Sequence, residues 1–376
     1  MENPFVVKPY KSSDLFCDRV SETAHVSSLL LSGDNVTLIS PRRYGKTGLI
    51  YRVFDEIKSK HRKIVTCYVD IYSANNLEDF VKLFSEAVVT SVQESSLVKK
   101  FFSAMAGVRP LLSFDSITGS PQVSIAYQNE NQKVATLKSI FDFLESQKSK
   151  VIVAIDEFQQ IRAFPNVKME ALLRTYIQLL KNVSFVFCGS KKHVMVDMFL
   201  GEKSPFYEST TPVYLDKIEP APYSDFIKRM FAKGGRKIDD ESVAFILEWT
   251  KRHTYYTQYL CRRIFLNGSK KINLSEVKIA CSQILYENVN GFLERRNLIT
   301  DSQWLVLKAV ARDGTVFQPT SSDFLLRHRL GSAASVKRIF ESLVDKELLL
   351  EEVSENGRSY SVYNVFLSRW LESFYP

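Results

Sequence analysis

The sequence predicts an α/β protein: a parallel β-sheet covered by helices on both faces, then a helical region and a C-terminal winged helix-turn-helix. Three observations predict it. Short β-branched and apolar runs alternate with helical patterns up to about residue 216, as parallel strands joined by crossover helices do. The runs are apolar throughout, as in VIVAI at 151–155, which suits strands buried on both sides. From 299 onward the order is helix, helix, turn, helix and hairpin, which is that of a winged helix.

The first strand covers 36–39 (VTLI) and stops at Ser40-Pro41; a helical stretch follows at 47–59. Further strands fall at 64–70 (IVTCYVD), 151–156 (VIVAID), 184–189 (SFVFCG) and 213–215 (VYL), with helical patterns at 76–92, 133–147 and 169–181. The segment 111–126 breaks the alternation. Its two β-like arms around DSITGSP predict an inserted hairpin. The stretch 220–293 is mostly helical, with apolar positions such as Val243, Ile246, Leu247 and Trp249. A helix at 302–313 is followed by TSSD at 320–323, which caps a second helix running through Arg327. Gly331-Ser332 makes a turn, and 333–346 forms the third helix. Strands at 348–353 and 359–363 flank SENGR, a hairpin signal centred on Asn356-Gly357. The expected domains are 1–216 with its hairpin insertion at 111–126, a helical domain at 217–298, and a winged helix at 299–376.

Composition narrows the class. The chain has 376 residues, more than one hydrophobic core usually supports. It is 45% hydrophobic and 24% charged, with only 14 Gly and 12 Pro, which excludes a disordered or collagen-like chain. A net charge of +8 permits an anionic partner without requiring one. Five cysteines (Cys17, Cys67, Cys188, Cys261, Cys281) lie scattered with no C-x-x-C pair, which argues for a reducing compartment. Five histidines (His25, His61, His193, His253, His328) lack metal-ligand spacing. The N-terminus shows no secretory pattern and no apolar run is long enough to span a bilayer. The expected location is the cytoplasm, with no membrane partner.

The strongest chemical signal lies between the first strand and its helix. Ser40-Pro41-Arg42-Arg43-Tyr44-Gly45-Lys46-Thr47 matches the phosphate-loop pattern at Gly45, Lys46 and Thr47, with Ser40 in place of the first glycine. Backbone N–H groups of such a loop cradle phosphates at a helix N-terminus. Lys46 would reach the β- and γ-phosphates, and the Thr47 hydroxyl would ligate Mg²⁺. The strand at 151–156 ends in Asp156-Glu157. Asp156 would hold Mg²⁺ through water, and Glu157 would polarise the attacking water. The strand SFVFCG leads into Ser190, a candidate to touch the γ-phosphate.

These motifs carry a family resemblance. Phe16-Cys17-Asp18-Arg19-x-x-Glu22, SPRRYGKT, VIVAIDE, FVFCGS and Arg252-His-Thr-Tyr-Tyr-Thr-Gln258-Tyr-Leu260 together resemble the archaeal-type ATPases. That family is a branch of P-loop ATPases close to AAA+ replication initiators and STAND signalling ATPases, and the resemblance covers nearly the whole chain. It implies an ASCE-type sheet of order 5-1-4-3-2, ATP with Mg²⁺, and a helical lid over the nucleotide. The binding loop then comprises Ser40, Pro41, Arg42, Arg43, Tyr44, Gly45, Lys46, Thr47 and Gly48, with the Phe16–Arg19 segment near the adenine. His253 and Tyr255 would face the nucleotide from the lid. Two positions depart from the family pattern: Thr254 stands where members often have Pro, and Glu208 follows Pro205-Phe206-Tyr207 where members often have Arg. An arginine finger is therefore not expected at 208, and no appended nuclease is expected after the winged helix.

Duplex DNA and a protein are candidate partners of the winged helix. From Thr300 on, nine Lys and Arg stand against ten Asp and Glu, a near-neutral balance for a module that would neutralise phosphates. Arg327, Arg329, Lys337 and Arg338 nevertheless cluster around the start of the third helix, where a recognition helix meets the groove. The sequence thus supports an ATP-hydrolysing switch read out through the winged helix. Its alternatives are a nucleotide-stabilised DNA-binding regulator and a protein-interaction scaffold with little turnover.

Overall fold

Side-chain alternation along the central strands decides the architecture of the first half. The computed structural model describes every residue except 1, 8, 9, 93, 106, 107, 109, 166, 355, 356, 375 and 376. It divides into two compact units, Pro9–Asp216 and Met1–Lys8 with Lys217–Pro376.

The first unit runs α1 (Val20–Ser32), β1 (Val36–Ile39), α2 (Lys46–Lys60), β2 (Val65–Asp70), α3 (Leu77–Val92), α4 (Ser95–Ala104), β3 (Pro110–Phe114), β4 (Pro121–Ile125), α5 (Glu130–Glu145), β5 (Val151–Asp156), α6 (Met169–Ile177), β6 (Val183–Gly189), α7 (Lys192–Leu200) and β7 (Thr211–Tyr214). The five-stranded sheet has the order β2-β5-β6-β1-β7, every pair parallel. Counted among themselves, its strands read 5-1-4-3-2 from the β7 edge; the labels differ because the hairpin strands β3 and β4 intervene. Ile152, Ala154, Val186 and Cys188 point to one face, where they meet Val26 and Leu30 of α1 and Leu49, Ile50 and Val53 of α2. Val151, Val153, Ile155, Phe185 and Phe187 point to the other, against Phe80 and Phe84 of α3, Phe141 of α5 and Phe199 of α7. Both faces of each inner strand are therefore core, which is why these strands read as unbroken apolar runs.

Several helices escape the sequence reading. The buried residues of α1 are Thr23, Val26, Ser27 and Leu30, so hydroxyls interrupt its apolar stripe. In α4 only Phe101 is buried. The inserted hairpin forms in antiparallel register, with Phe114 opposite Pro121. Asp115 builds its turn by accepting from the backbone N–H groups of Ile117 (3.0 Å) and Thr118 (2.7 Å). Buried Val123 anchors it, and the Val123 N–H donates to Glu86 of α3 at 2.9 Å.

The second unit runs α8 (Pro220–Lys233), β8 (Lys237–Ile238), α9 (Asp240–Trp249), α10 (Thr254–Leu266), β9 (Lys271–Ile272), α11 (Leu274–Asn297), α12 (Asp301–Asp313), α13 (Ser322–Arg327), α14 (Ala333–Asp345), β10 (Leu349–Ser354), β11 (Gly357–Val362) and α15 (Val365–Phe374). Phe5, from the N-terminal segment, is buried here against Phe231, ring centroids 4.7 Å apart. The short parallel pair β8–β9 has no counterpart in the sequence reading, since two-residue strands leave no periodicity to detect. Ser321 caps α13 by accepting from the Phe324 N–H at 3.3 Å. The wing pairs β10 with β11, and Val316 adds a bridge to Tyr360. Of the turn signal, Asn356 lies outside the described residues, and Gly357 takes the left-handed φ of +95°.

The final helix, α15, was not expected and does much of the joining. Phe366 packs among Trp249, Tyr256 and Tyr259 at centroid distances of 5.6, 4.7 and 5.5 Å. Trp370 packs on Phe292 and Trp304 at 5.4 and 6.2 Å. The Arg369 guanidinium donates to the carbonyls of Glu248 and Trp249, 2.9 Å each. Phe366→Ala is expected to destabilise this unit by about 3 kcal/mol, as buried phenylalanine truncations do. Urea unfolding followed by tryptophan fluorescence would read it. Val353→Ala, at a position 64% exposed, should stay within about 0.5 kcal/mol of wild type.

Candidate phosphate-binding and catalytic site

The loop between β1 and α2 is shaped by two left-handed residues, Arg43 (φ +66°) and Gly45 (φ +96°). Such alternation turns successive backbone N–H groups toward one concavity, which favours an anion. Gly45 adopts its conformation without a Cβ penalty. Ser40, 1% exposed, closes β1 and supplies acceptors. The Lys46 ammonium donates to the Ser40 carbonyl (3.1 Å), the Ser40 hydroxyl (3.3 Å) and the Pro41 carbonyl (3.0 Å). Burial pushes the Lys46 pKa below the usual lysine range, opposed by the charges of Asp156 and Glu157. Arg42 and Arg43 are exposed, and Tyr44 is buried. Gly48 opens α2 beneath the Phe16 ring, where a Cβ would lie 2.6 Å from Phe16 Cε2.

Asp156 ends β5 at 5% exposure. Its Oδ2 accepts from the Thr47 hydroxyl and the Tyr68 hydroxyl, 2.8 Å each. Its Oδ1 accepts from the Glu157 N–H at 2.9 Å and the Cys188 thiol at 3.2 Å. Burial, reinforced by the Asp156 charge, pushes the pKa of Tyr68 and of Cys188 up, so both remain donors at neutral pH. Thr47 Oγ1 and Asp156 Oδ2 are hard oxygens side by side, a donor pair that fits Mg²⁺. Among the described residues there is no cluster of three or more His, Cys, Asp or Glu able to hold a metal, so phosphate oxygens and water would complete such a site.

Glu157 follows in the left-handed region (φ +56°, ψ +38°), where β5 breaks into a short 3₁₀ helix, Phe158–Ala163. Its Oε2 accepts from the Ser190 hydroxyl at 2.7 Å and from the Gln159 amide at 2.5 Å. Phe158 fixes this turn, fully buried against Phe187 (4.6 Å) and Phe206 (5.5 Å). Asp70, paired in register with Asp156, has its pKa raised by partial burial and by the Asp156 and Glu157 charges.

The structure thus brings Ser40, Lys46, Thr47, Asp156, Glu157 and Ser190 into one cluster. Arg19, buried at the start of α1, pairs with Glu22 at 2.6 Å and donates to the Asp216 carbonyl. Phe16 is bordered by Tyr10 (5.7 Å between rings) and the Arg52 guanidinium (5.5 Å). His253 and Tyr255 belong to the other unit, at the start of α10, where His253 is buried against Tyr256 at 4.6 Å. In the winged helix Arg327 is already paired, with Asp313 at 3.0 Å and with Asp323. Arg329, Lys337 and Arg338 are exposed and make no ion pair among the described residues.

Sequence reasoning missed Tyr68, Cys188 and Gln159. Strand parity holds the signal for the first two. With β5 between β2 and β6, the even-numbered side chains of all three strands point to the α2 face, which places Tyr68 and Cys188 beside Asp156. Gln159 had no such cue, because residues two apart do not face each other in a helix; the left-handed turn at Glu157 brings them together.

A family model described as an ATPase domain predominantly from Archaea matches residues 16–257. A second, a probable winged helix domain, matches 290–373. Among solved structures, a Walker-type ATPase of Pyrococcus abyssi is similar with a TM-score of 0.67 and 15% identity, covering 98% of this chain and 99% of that one. The Aeropyrum pernix ORC2 protein, solved as ADPNP–ADP complexes, gives 0.56 and 13% over 94% of each chain. The Aeropyrum pernix ORC1 protein in complex with DNA gives 0.51 and 14% over 99% of this chain and 96% of that one. These identities establish a shared fold. A search of curated proteins finds no match.

The buried lysine makes stability depend on pH. Its folded pKa lies below that of the unfolded chain. Between the two values the unfolded chain binds the extra proton, so the stability of the ligand-free protein rises with pH until the unfolded pKa, about 10.4, is passed. In Lys46→Met this contribution is absent. Urea unfolding across that range should give a shallower rise for the variant, and equal slopes would contradict the burial of a charged ammonium.

Proposed function

The chain belongs to the family of ATPase domains found predominantly in Archaea, and we propose that this P-loop ATPase couples Mg²⁺-ATP binding and hydrolysis to a conformational change read out through its winged helix. The observation that carries this reading is the convergence of three strand ends on one point. Thr47, Asp156, Glu157 and Ser190 form a continuous hydrogen-bonded chain beside the Lys46 ammonium.

In this reading the loop from Ser40 to Gly48 receives the phosphates on its backbone N–H groups. Lys46 exchanges the Ser40 and Pro41 carbonyls for phosphate oxygens, a better partner for a buried cation. Thr47 and Asp156 hold Mg²⁺, which when bound neutralises phosphate charge. Glu157 orients the attacking water and takes its proton. Ser190 has a single hydroxyl proton. In the structure it is spent on Glu157; a γ-phosphate would compete for it, so phosphate sensing and the freeing of Glu157 become one event.

We assign 1–216 as the ATPase domain, apart from the N-terminal Met1–Lys8, which belong with the second unit, 217–298 as a helical lid, and 299–376 as the winged helix. Five free, buried cysteines support a reducing compartment, here the cytoplasm. No helix among the described residues is long and apolar enough to cross a membrane. A nucleotide-stabilised DNA-binding regulator is the second reading, favoured by the exposed cations Arg329, Lys337 and Arg338 on and before α14.

Steady-state ATP hydrolysis with Mg²⁺ tests the first reading. Lys46→Ala and Glu157→Gln should each lower turnover by about 100-fold or more, with ATP binding retained in Glu157→Gln. A wild type that binds ATP without turning it over would overturn hydrolysis by the isolated chain. For DNA, the double substitution Lys337→Ala/Arg338→Ala should weaken duplex binding and lower the slope of log K against log salt by about 2. An unchanged slope would remove those residues from any DNA interface.

A further inference from the structure

The inference concerns Gln159 and rests on Glu157 acting on the lytic water. Gln159 is 7% exposed. Its amide N–H₂ donates to Glu157 Oε2 at 2.5 Å, while its amide oxygen is buried without a hydrogen-bond partner. A buried, unsatisfied carbonyl is costly and calls for an explanation. The amide is held in place by its surroundings. Gly189, at the end of β6, leaves the space that the Gln159 amide fills: a Cβ there would run into Gln159 Oε1 and come within 2.7 Å of Met195 Sδ. Phe158, fully buried between the two polar residues in sequence, fixes the turn that presents them both. The two donors, Gln159 and Ser190, fall on the same oxygen, Oε2. Oε1 has no protein partner among the described residues.

We infer that Gln159 is a positioning residue: its amide clamps one oxygen of Glu157 so that the other faces the attacking water, and it keeps that hold when the Ser190 hydroxyl turns to the γ-phosphate. Of the two donors, only Ser190 stands at the strand end where a γ-phosphate would compete for it. The Gln159 amide fills the space beside Gly189 and donates to no other acceptor among the described residues. Without it, a Glu157 released by Ser190 would rotate freely during the step that needs its aim.

Gln159→Met preserves length and apolar volume and removes the donor. Gln159→Glu preserves shape and replaces the donor with a second carboxylate. Each is measured for kcat, for affinity toward a fluorescent ATP analogue, and for melting temperature, alone and combined with Ser190→Ala. Both variants should lose about tenfold or more in kcat, the order expected for a hydrogen bond to a charged group. Nucleotide affinity should stay within about twofold, the pattern of an interaction needed only for the chemical step. With Ser190→Ala, the loss should be non-additive, since both residues act through one oxygen. Wild-type kcat in Gln159→Met would overturn the inference. So would a fall of kcat, affinity and melting temperature together, which marks a merely structural residue. Glu157→Gln run in parallel separates the two claims. If it keeps wild-type turnover, the role given to Glu157 fails and the inference fails with it. If it is inactive while Gln159→Met is normal, the inference alone fails.

Discussion

Everything at this site depends on meeting the lone pairs of one carboxylate inside the protein. Asp156 is almost fully buried, and a buried carboxyl group is costly unless its polar atoms are hydrogen-bonded. Four donors from four different segments meet them: Thr47 from α2, Tyr68 from β2, Cys188 from β6 and the backbone of Glu157. Satisfying Asp156 therefore fixes the relative positions of the phosphate loop and the three neighbouring strand ends. The parallel register makes this possible, because Asp70 and Asp156 end their strands at the same level, with β1 and β6 ending beside them at Ile39 and Gly189. The nearby Lys46 ammonium supplies the opposite charge without pairing directly, and is left bound to carbonyls that a phosphate can replace.

Much of this was legible in the sequence. The phosphate loop, the Asp156-Glu157 pair and Ser190 each sit where an apolar strand gives way to polar residues, and runs such as VIVAI mark those strand ends. The inserted hairpin was legible for the same reason, since polar turn residues separate two apolar arms. What could not be read depends on contacts that local patterns do not encode. α1 hides because half of its buried face is Thr23 and Ser27, and α15 because its partners Trp249 and Tyr256 lie more than a hundred residues upstream. Arg327 looked like a free cation; the fold pairs it with Asp313 and Asp323. Charge counted along a chain overstates the charge a surface offers, because long side chains find acids that are distant in sequence.

Within the second unit, the winged helix shares its core with the helices before it. α15 carries Phe366 into the cluster of Trp249, Tyr256 and Tyr259, and Trp370 onto Phe292 and Trp304. The Arg369 bonds to the end of α9 add polar contacts to this apolar join. Packed cores deform little and move as bodies. A displacement of α9 or α10 would therefore carry the wing with it, and the exposed cations of α14 would travel as one surface.

The fit between Gly189 and Gln159 also constrains how this chain can change over time. Any side chain at 189 needs volume that the Gln159 amide and the Met195 thioether occupy, so both must give before anything larger than glycine enters. A change at 189 is therefore also a change in where the Gln159 amide lies. The glycine at the end of β6 and the amide beside Glu157 are inherited as a pair, and a substitution at either is felt first at the other.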